Sequence, residues 1–496
     1  MITFAEPQPI PKASTGIPGL DQILHGGLPV GRTTLISGGP GAGKTILALQ
    51  VLHDRASAGD ACVFVACEER VEVLRQNALS MGWDLEALEK KGLLVMVPAE
   101  LDADMVLTGE VNLKGLLAIV EAQMKALNGR YLVIDGIDVL LRVFDDPRRE
   151  RNELHTIHKS LQRLDATVLI TNKLYAAGGH GQHDWLEFMA DCVLLLDHRV
   201  SEQVSTRRLR VLKYRGSPTG RNEYPYVIGR DGFRLVPISS GNLTFKAPGE
   251  RMASGSDGLD KIMGGGIMRG SSVLICGCSG AGKTTLAATI AEAAANRNET
   301  TLLVTFEESQ VALLDHLQCA GIDLRKAIDR ELLRILAILP ESQGAEEHLM
   351  QILDAMDDHS PQHVIVDAIS ASRRMGSTHA AFDFAMRVIT ACRERWLTCI
   401  FTMQVNGHDA ESQITGTPLS SLVDMLVHLR NVQVGERMER LIAVLKSRGA
   451  GHSCARHAFD ITDDGITVGD PPVWLSHERW DRQSVGRTDH TNHNSL

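Results

Sequence analysis

The string GAGKT occurs twice in the chain, at Gly41–Thr45 and at Gly280–Thr284, inside the longer frames SGGPGAGKT and CGCSGAGKT. Gly38-x4-Gly43-Lys44-Thr45 and Gly277-x4-Gly282-Lys283-Thr284 satisfy the pattern GxxxxGK[ST] in full. In such a loop the small residues, here including Gly39, Gly41 and Gly280, let backbone N–H groups close around phosphate oxygens. The helix that follows turns its positive end toward the same anion. The lysine reaches the β and γ phosphates, and the threonine hydroxyl ligates magnesium. A plain glycine-rich turn would account for the glycines, but not for the strand-like run before each loop and the helical run after it.

Three further constellations accompany each loop. Asp135 ends the apolar run YLVI and Asp367 ends HVIV. An acid there suits a magnesium site downstream of a phosphate loop, although an Asp in that place also caps turns. Glu68-Glu69 and Glu307-Glu308 end the strand after each loop helix. Hydrolysis or phosphoryl transfer needs such a carboxylate to orient water or a hydroxyl; an acidic pair is equally at home at a solvated helix start. Lys213-x-Arg215 and Lys446-x-Arg448 close the runs RLRVL and RLIAVL just before a glycine. Two cations on one strand face could meet one phosphate, as a finger reaching a neighbouring molecule's nucleotide. Alone, a K-x-R is more often a charged guard on a strand edge.

The elements that must position these groups are themselves duplicated. Ser14–Leu49 aligns with Ala253–Ala288 at constant spacing, FVACEER with LVTFEES, YLVIDGID with HVIVDAIS, and VLKYRG with VLKSRG, all in one order. Short β-branched runs (TTLIS, CVFVA, YLVID, TVLIT) alternate with longer helical stretches, which predicts two tandem α/β domains of RecA-like P-loop type. Each is a mostly parallel sheet flanked by helices, with ligands at the carboxyl ends of the strands. The expected limits are 1–245 and 246–475, with the seam near Asn242–Met252 and a polar, disordered tail at 476–496.

Composition narrows the function classes. The chain has 496 residues, 44% hydrophobic and 23% charged, a balance that suits a water-soluble protein. No apolar run is long enough to span a bilayer, no signal pattern opens the chain, and the nine cysteines form no CxxC pair. A cytoplasmic location is expected. Net charge of −10 and 4% aromatics argue against a basic or stacking surface for nucleic acid.

Taken together, these residues resemble the KaiC family, the two-domain RecA-like ATPases of the cyanobacterial circadian clock and their bacterial relatives. The resemblance runs from about Ser14 to Ile466 and includes QNALSMGWDL, LKYRGSPTGRNEYPY, LPESQGAEEHL and TGTPLSSLVD. It implies a homo-hexamer of two stacked rings binding ATP and magnesium between subunits, the first ring hydrolytic, the second an autokinase and autophosphatase. It further implies phosphoacceptors at Ser420 and Ser421, with Thr415 a transient third. Glu68, Glu69, Glu307 and Glu308 would be catalytic. Thr45, Asp135, Thr284, Glu307 and Asp367 would serve the metal. Ser80 and Ser217 would touch first-ring nucleotide, and Lys213, Arg215, Lys446 and Arg448 the neighbour's. Without the resemblance, Ser420-Ser421 is a helix or turn cap before LVDMLVHL.

The chain departs from the family at several places. Ala320 stands where the second ring has an aromatic beside adenine, and Gly229-Arg230 replaces a Thr-Asp pair. The last thirty residues lack the segment that a KaiA partner captures, which argues against dependence on KaiA, while a KaiB-like or signalling partner stays open. Two other readings compete: a nucleotide-dependent scaffold whose serines are incidental, and a RecA-like DNA repair or recombination ATPase. The second would use a loop such as AAGGHGQHDW (Ala176–Trp185), which is glycine-rich but hardly basic.

Overall fold

The computed structural model describes residues 10–99, 113–141, 144, 146–174, 184–201, 204–220, 222–235, 249–375, 378–405 and 418–476. Thr415, most of the loop 176–185, most of the expected seam and all but the first residue of the polar tail lie outside them. The chain divides into two compact units, residues 1–240 and 241–496.

In the first unit nine strands form one sheet: β1 Thr33–Gly38, β2 Cys62–Ala66, β3 Leu94–Pro98, β4 Tyr131–Asp135, β5 Thr167–Lys173, β6 Cys192–Ser201, β7 Val204–Tyr214, β8 Tyr224–Gly229 and β9 Gly232–Leu235. Their spatial order is β9-β8-β7-β6-β1-β5-β4-β2-β3. The six strands from β6 to β3 run parallel, and β7, β8 and β9 extend that sheet antiparallel. The parallel half obeys its sequence: TTLISG, CVFVA and YLVID are buried at every position, because helices cover both faces. Phe64 and Ile36 point into one apolar layer and Leu35, Val63 and Leu132 into the other.

The second unit repeats this topology strand for strand: β10 Ser272–Gly277, β11 Thr301–Thr305, β12 Leu333–Ala337, β13 His363–Asp367, β14 Thr398–Gln404, β15 Met425–Val434, β16 Arg437–Ser447, β17 His457–Thr462 and β18 Gly465–Val468. Its order, β12-β11-β13-β14-β10-β15-β16-β17-β18, is that of the first sheet taken from the other edge.

The helix after each phosphate loop, Lys44–Ser57 or Lys283–Asn296, lies over the sheet and starts at a left-handed glycine. Gly43 has φ 86° and Gly282 φ 95°. A Cβ there would also meet Ile228 at 2.4 Å or Ile461 at 2.5 Å, so only glycine fits. Along the first helix the buried Gln50 amide stitches helix to sheet edge. It accepts from the Phe233 N–H at 2.7 Å and donates to the Phe233 carbonyl at 3.3 Å. Gln50→Leu would keep the volume and leave both backbone groups unpaired. The expected cost is about 2 kcal/mol of first-unit stability, read as a lower urea midpoint; an unchanged midpoint would mean that the stitch carries no load.

Candidate functional site

Strands β1, β4 and β5 end side by side at the sheet's carboxyl edge, and each delivers a polar group to one point. Thr45, one residue into the loop helix, lies with its hydroxyl 3.1 and 3.0 Å from the two Asp135 carboxylate oxygens. Thr171 of β5 donates to Asp135 Oδ1 at 2.6 Å and itself accepts from the Gly136 N–H at 2.7 Å. Burial pushes the Asp135 carboxyl up to about 6, against the pull of these two hydroxyls. Lys44 folds back onto its own loop, donating to the Gly39 carbonyl at 3.0 Å. Burial pulls its ammonium below the usual lysine range, while Glu68, Asp135 and Asp138 oppose that shift.

The second unit rebuilds the same knot. Thr284 donates to Asp367 Oδ2 at 2.8 Å, Thr402 donates to Oδ1, and Lys283 donates to the Cys278 carbonyl at 2.7 Å. Burial raises Asp367 and lowers Lys283 as in the first unit. Glu307 is raised too, by desolvation first and by the charge of Asp367 second.

In the first unit a cleft of about 510 Å³ opens over the loop. Gly41, Gly43, Lys44 and Thr45 line one side, and Glu68 and Glu69 form the wall. Ser80 lies at its margin, its hydroxyl donating to the Asn77 carbonyl at 2.7 Å. The glutamate pairs have defined neighbours in both units. Asn77 donates to Glu69 at 3.3 Å, and His316 stands 2.9 Å from Glu308.

The K-x-R pairs do not line that cleft. Lys213 donates to the Glu187 and Phe188 carbonyls at 2.8 and 3.1 Å, and Arg215 to Phe188 at 2.8 Å, on the short helix Asp184–Met189. Ser217 accepts a hydrogen bond from Lys12 at 2.7 Å and is likewise outside it. In the second unit Lys446 donates to the Ser420 and Val423 carbonyls, each at 2.7 Å, and Arg448 to Ser421 at 2.6 Å. Thus both cation pairs grip the helix that precedes the sixth strand of their sheet. In the second unit that helix, Pro418–Leu422, carries both serines, Ser420 buried and Ser421 exposed. The next element along the chain is strand β15, so the serines cap no following helix.

Sequence reasoning missed several residues at the site. Thr171 and Thr402 were legible in principle, since both copies end a strand-like run with threonine, TVLIT and TCIFT. Arg207 and Ile228 line the far side of the cleft. They reach it only because β7 folds back beside β6 and β8 beside β7, and one arginine among several in STRRLR carries no signal. Lys173 ends β5 with its ammonium 3.7 Å from Glu68.

Comparison with known proteins agrees with this architecture. A family model described as "ATPase: KaiC" matches residues 13–240 and again 252–473. A circadian clock oscillator protein KaiC of Picosynechococcus is 32% identical over 464 residues, 93% of this chain and 90% of the relative. The KaiC of Synechococcus elongatus is 32% identical over 469 residues, 94% of this chain and 90% of its own length. A circadian clock protein KaiC2 of Synechocystis is 33% identical over 467 residues, covering 92% and 81%.

The chain belongs to the KaiC ATPase family, and nucleotide binding goes with that membership. The Asp135 knot offers a direct check on its electrostatics. Above about pH 6 the carboxyl is charged, the form that burial disfavours and the Thr171 hydroxyl supports. Thr171→Val should then cost about 1–3 kcal/mol of first-unit stability at pH 8. Below pH 6 the carboxyl keeps its proton and needs that hydroxyl less, so the deficit should shrink at pH 5. Urea unfolding at the two pH values measures it; an equal deficit at both would show that Thr171 does not act through the charge of Asp135.

Proposed function

We propose that this protein is a homo-hexameric, ATP-driven regulator whose first unit hydrolyses ATP and whose second phosphorylates and dephosphorylates its own serines. One observation carries the reading. Each unit holds a complete phosphate loop with its acids, while its K-x-R pair grips a separate helix, and in the first unit that pair lies outside the cleft over the loop. A cleft that lacks its own finger, beside a finger that lacks a cleft, fits a ring in which each subunit completes its neighbour's site.

The donor set fits magnesium. Thr45 with Asp135, and Thr284 with Asp367 and Glu307, are hard oxygen donors, and each aspartate is buried with hydroxyls as its hydrogen-bond partners. Bound there, magnesium would neutralise charge on the β and γ phosphate oxygens. Lys44 and Lys283 would leave their loop carbonyls to meet those phosphates. Gly38, Gly41, Gly43, Gly277, Gly280 and Gly282 would bring backbone N–H groups close. In the first unit water attacks the γ phosphorus, its proton passes to Glu68 or Glu69, and the bond to ADP breaks. In the second unit the serine Oγ is the nucleophile and Glu307 or Glu308 takes its proton. Hydrolysis of the phosphoserine reverses the state. Lys446 and Arg448 hold the acceptor helix by its carbonyls and so present Ser421 and Ser420 to the adjoining subunit. Ser421, being exposed, is the first acceptor.

A phosphate adds close to two negative charges and three acceptor oxygens at a subunit seam, which is enough to change ring packing and partner binding. The curated relatives are named for the circadian clock. A timing or signalling role, with a KaiB-like or other signalling partner, is the extension of that likeness to this chain. No described helix is long and apolar enough to cross a membrane.

Division of labour is testable in the full chain. Glu68→Gln with Glu69→Gln should cut ATP hydrolysis by about a hundredfold or more, leaving phosphoserine detectable by mass spectrometry. Glu307→Gln with Glu308→Gln should do the reverse, removing phosphoserine and sparing most hydrolysis. Equal loss of both activities in both variants would contradict the assignment. No phosphate on either serine in wild type would favour a nucleotide-loaded scaffold instead.

A further inference from the structure

The two units share the knot around the phosphate loop and differ at the end of the strand beside it. In the first unit β5 pairs with β1 so that Lys173 lies opposite Gly38, the first residue of the loop. In the second, β14 pairs with β10 and puts Gln404 opposite Gly277. The backbones are held in the same way: the Lys173 N–H donates to Asp138 at 3.1 Å and the Gln404 N–H to Ser370 at 3.1 Å. The side chains differ by a full charge. Lys173 carries its ammonium into the first cleft, where it lines the wall with Lys44 and Glu68 and stands 3.7 Å from a Glu68 oxygen.

We infer that Lys173 is a catalytic residue of the first unit, whose ammonium meets the γ-phosphoryl oxygens during hydrolysis, a charge that the second unit does not supply from this position. The inference rests on the reading of the first cleft as hydrolytic. As water attacks phosphorus and the bond to the ADP oxygen breaks, negative charge is redistributed over the oxygens of the transferring group and the leaving ADP. A fixed cation aimed at those oxygens needs no reorganisation at that moment. Lys173 keeps its proton throughout; the water proton goes to the glutamate pair. The Glu68 contact holds the ammonium beside the glutamate pair to which the water proton is assigned. It enters on a sheet strand, so it is held independently of the loop lysine. In the second cleft the cations near Glu307 are Lys283 and Arg374. Arg374 is engaged with Glu341 at 3.1 Å and the Phe306 carbonyl at 3.3 Å. With a neutral amide at the corresponding place, that cleft suits slow transfer to a serine better than fast turnover with water.

The experiment uses the full chain with Lys283→Ala, so that turnover reports the first cleft. Adding Lys173→Gln, the second unit's own residue, should lower kcat about a hundredfold while KM for ATP stays within about twofold. Trapping of ADP with aluminium fluoride, which mimics the phosphoryl group in transfer, should weaken in proportion, and affinity for ADP alone should not. Lys173→Arg should restore most of the rate. Unchanged kcat in Lys173→Gln would overturn the inference. So would a parallel fall in kcat and ADP affinity, or failure of arginine to rescue a correctly folded protein; either would make Lys173 a prop for the cleft. If the parent with Lys173 intact hydrolyses no ATP, the hydrolytic reading of the first unit fails, and this inference with it.

Discussion

A carboxylate driven into the end of a buried strand is the constraint around which each unit is arranged. Asp135 and Asp367 each end a strand that is buried at every position. An isolated charge there would be costly enough to suppress its own ionisation. The fold answers with two hydroxyls from different elements, one from the helix after the phosphate loop and one from the neighbouring strand. Because those hydroxyls must converge, the loop helix, β4 and β5 are fixed relative to one another within hydrogen-bond tolerance, and so are β13, β14 and their helix. The result is a carboxyl group shielded from water, partly desolvated and framed by neutral hydroxyl donors.

The same convergence explains why the two clefts can diverge without losing their shape. Residues that hold the knot recur in both copies: glycine at the helix start, lysine and threonine after it, aspartate at the strand end, threonine on the next strand. Residues around the knot that carry no part of it differ. Asn77 faces Glu69 where His316 faces Glu308, Gly39 supplies the carbonyl for Lys44 where Cys278 supplies it for Lys283, and Lys173 corresponds to Gln404. Duplication leaves the scaffold under one set of constraints and frees the chemistry at its rim. Two tasks in one chain become possible without two folds.

Much of this is legible in the amino-acid sequence. The phosphate loops, the strand-end aspartates and the glutamate pairs announce themselves because their chemistry needs particular residue types at short, fixed spacing, and the repeat shows each motif twice. The mostly parallel sheet follows from continuous β-branched runs, which only a sheet covered on both faces can bury. The antiparallel extension is harder. RRLRVLKYRG and its counterpart look like solvated edge strands, and their polar outer halves hide the fact that Arg207 returns to the cleft. Thr171 escapes notice for a related reason: a threonine in a strand is ordinary, and its importance comes from an aspartate thirty-six residues away. Local spacing reports on loops and caps; it is silent on contacts that a sheet order creates.

The K-x-R pairs show how the two kinds of information meet. From spacing alone they are a finger or an edge guard, and the choice turns on where the cations go. Within one chain they go to backbone carbonyls at the end of a short helix, and each arginine also faces an aspartate, Arg215 at 3.7 Å from Asp191 and Arg448 at 3.9 Å from Asp424. Carbonyl oxygens are weaker partners than phosphate for a guanidinium that can bind bidentately. A nucleotide arriving from a neighbour would therefore compete well for Arg448, and in doing so would draw on the contacts that hold Ser421 in place. In the proposed ring, occupancy of one subunit's cleft and the posture of the next subunit's Pro418–Leu422 helix would then be two readings of the same pair of cations. Such a shared contact would let the proposed ring sense its nucleotide state at the serines without any separate relay.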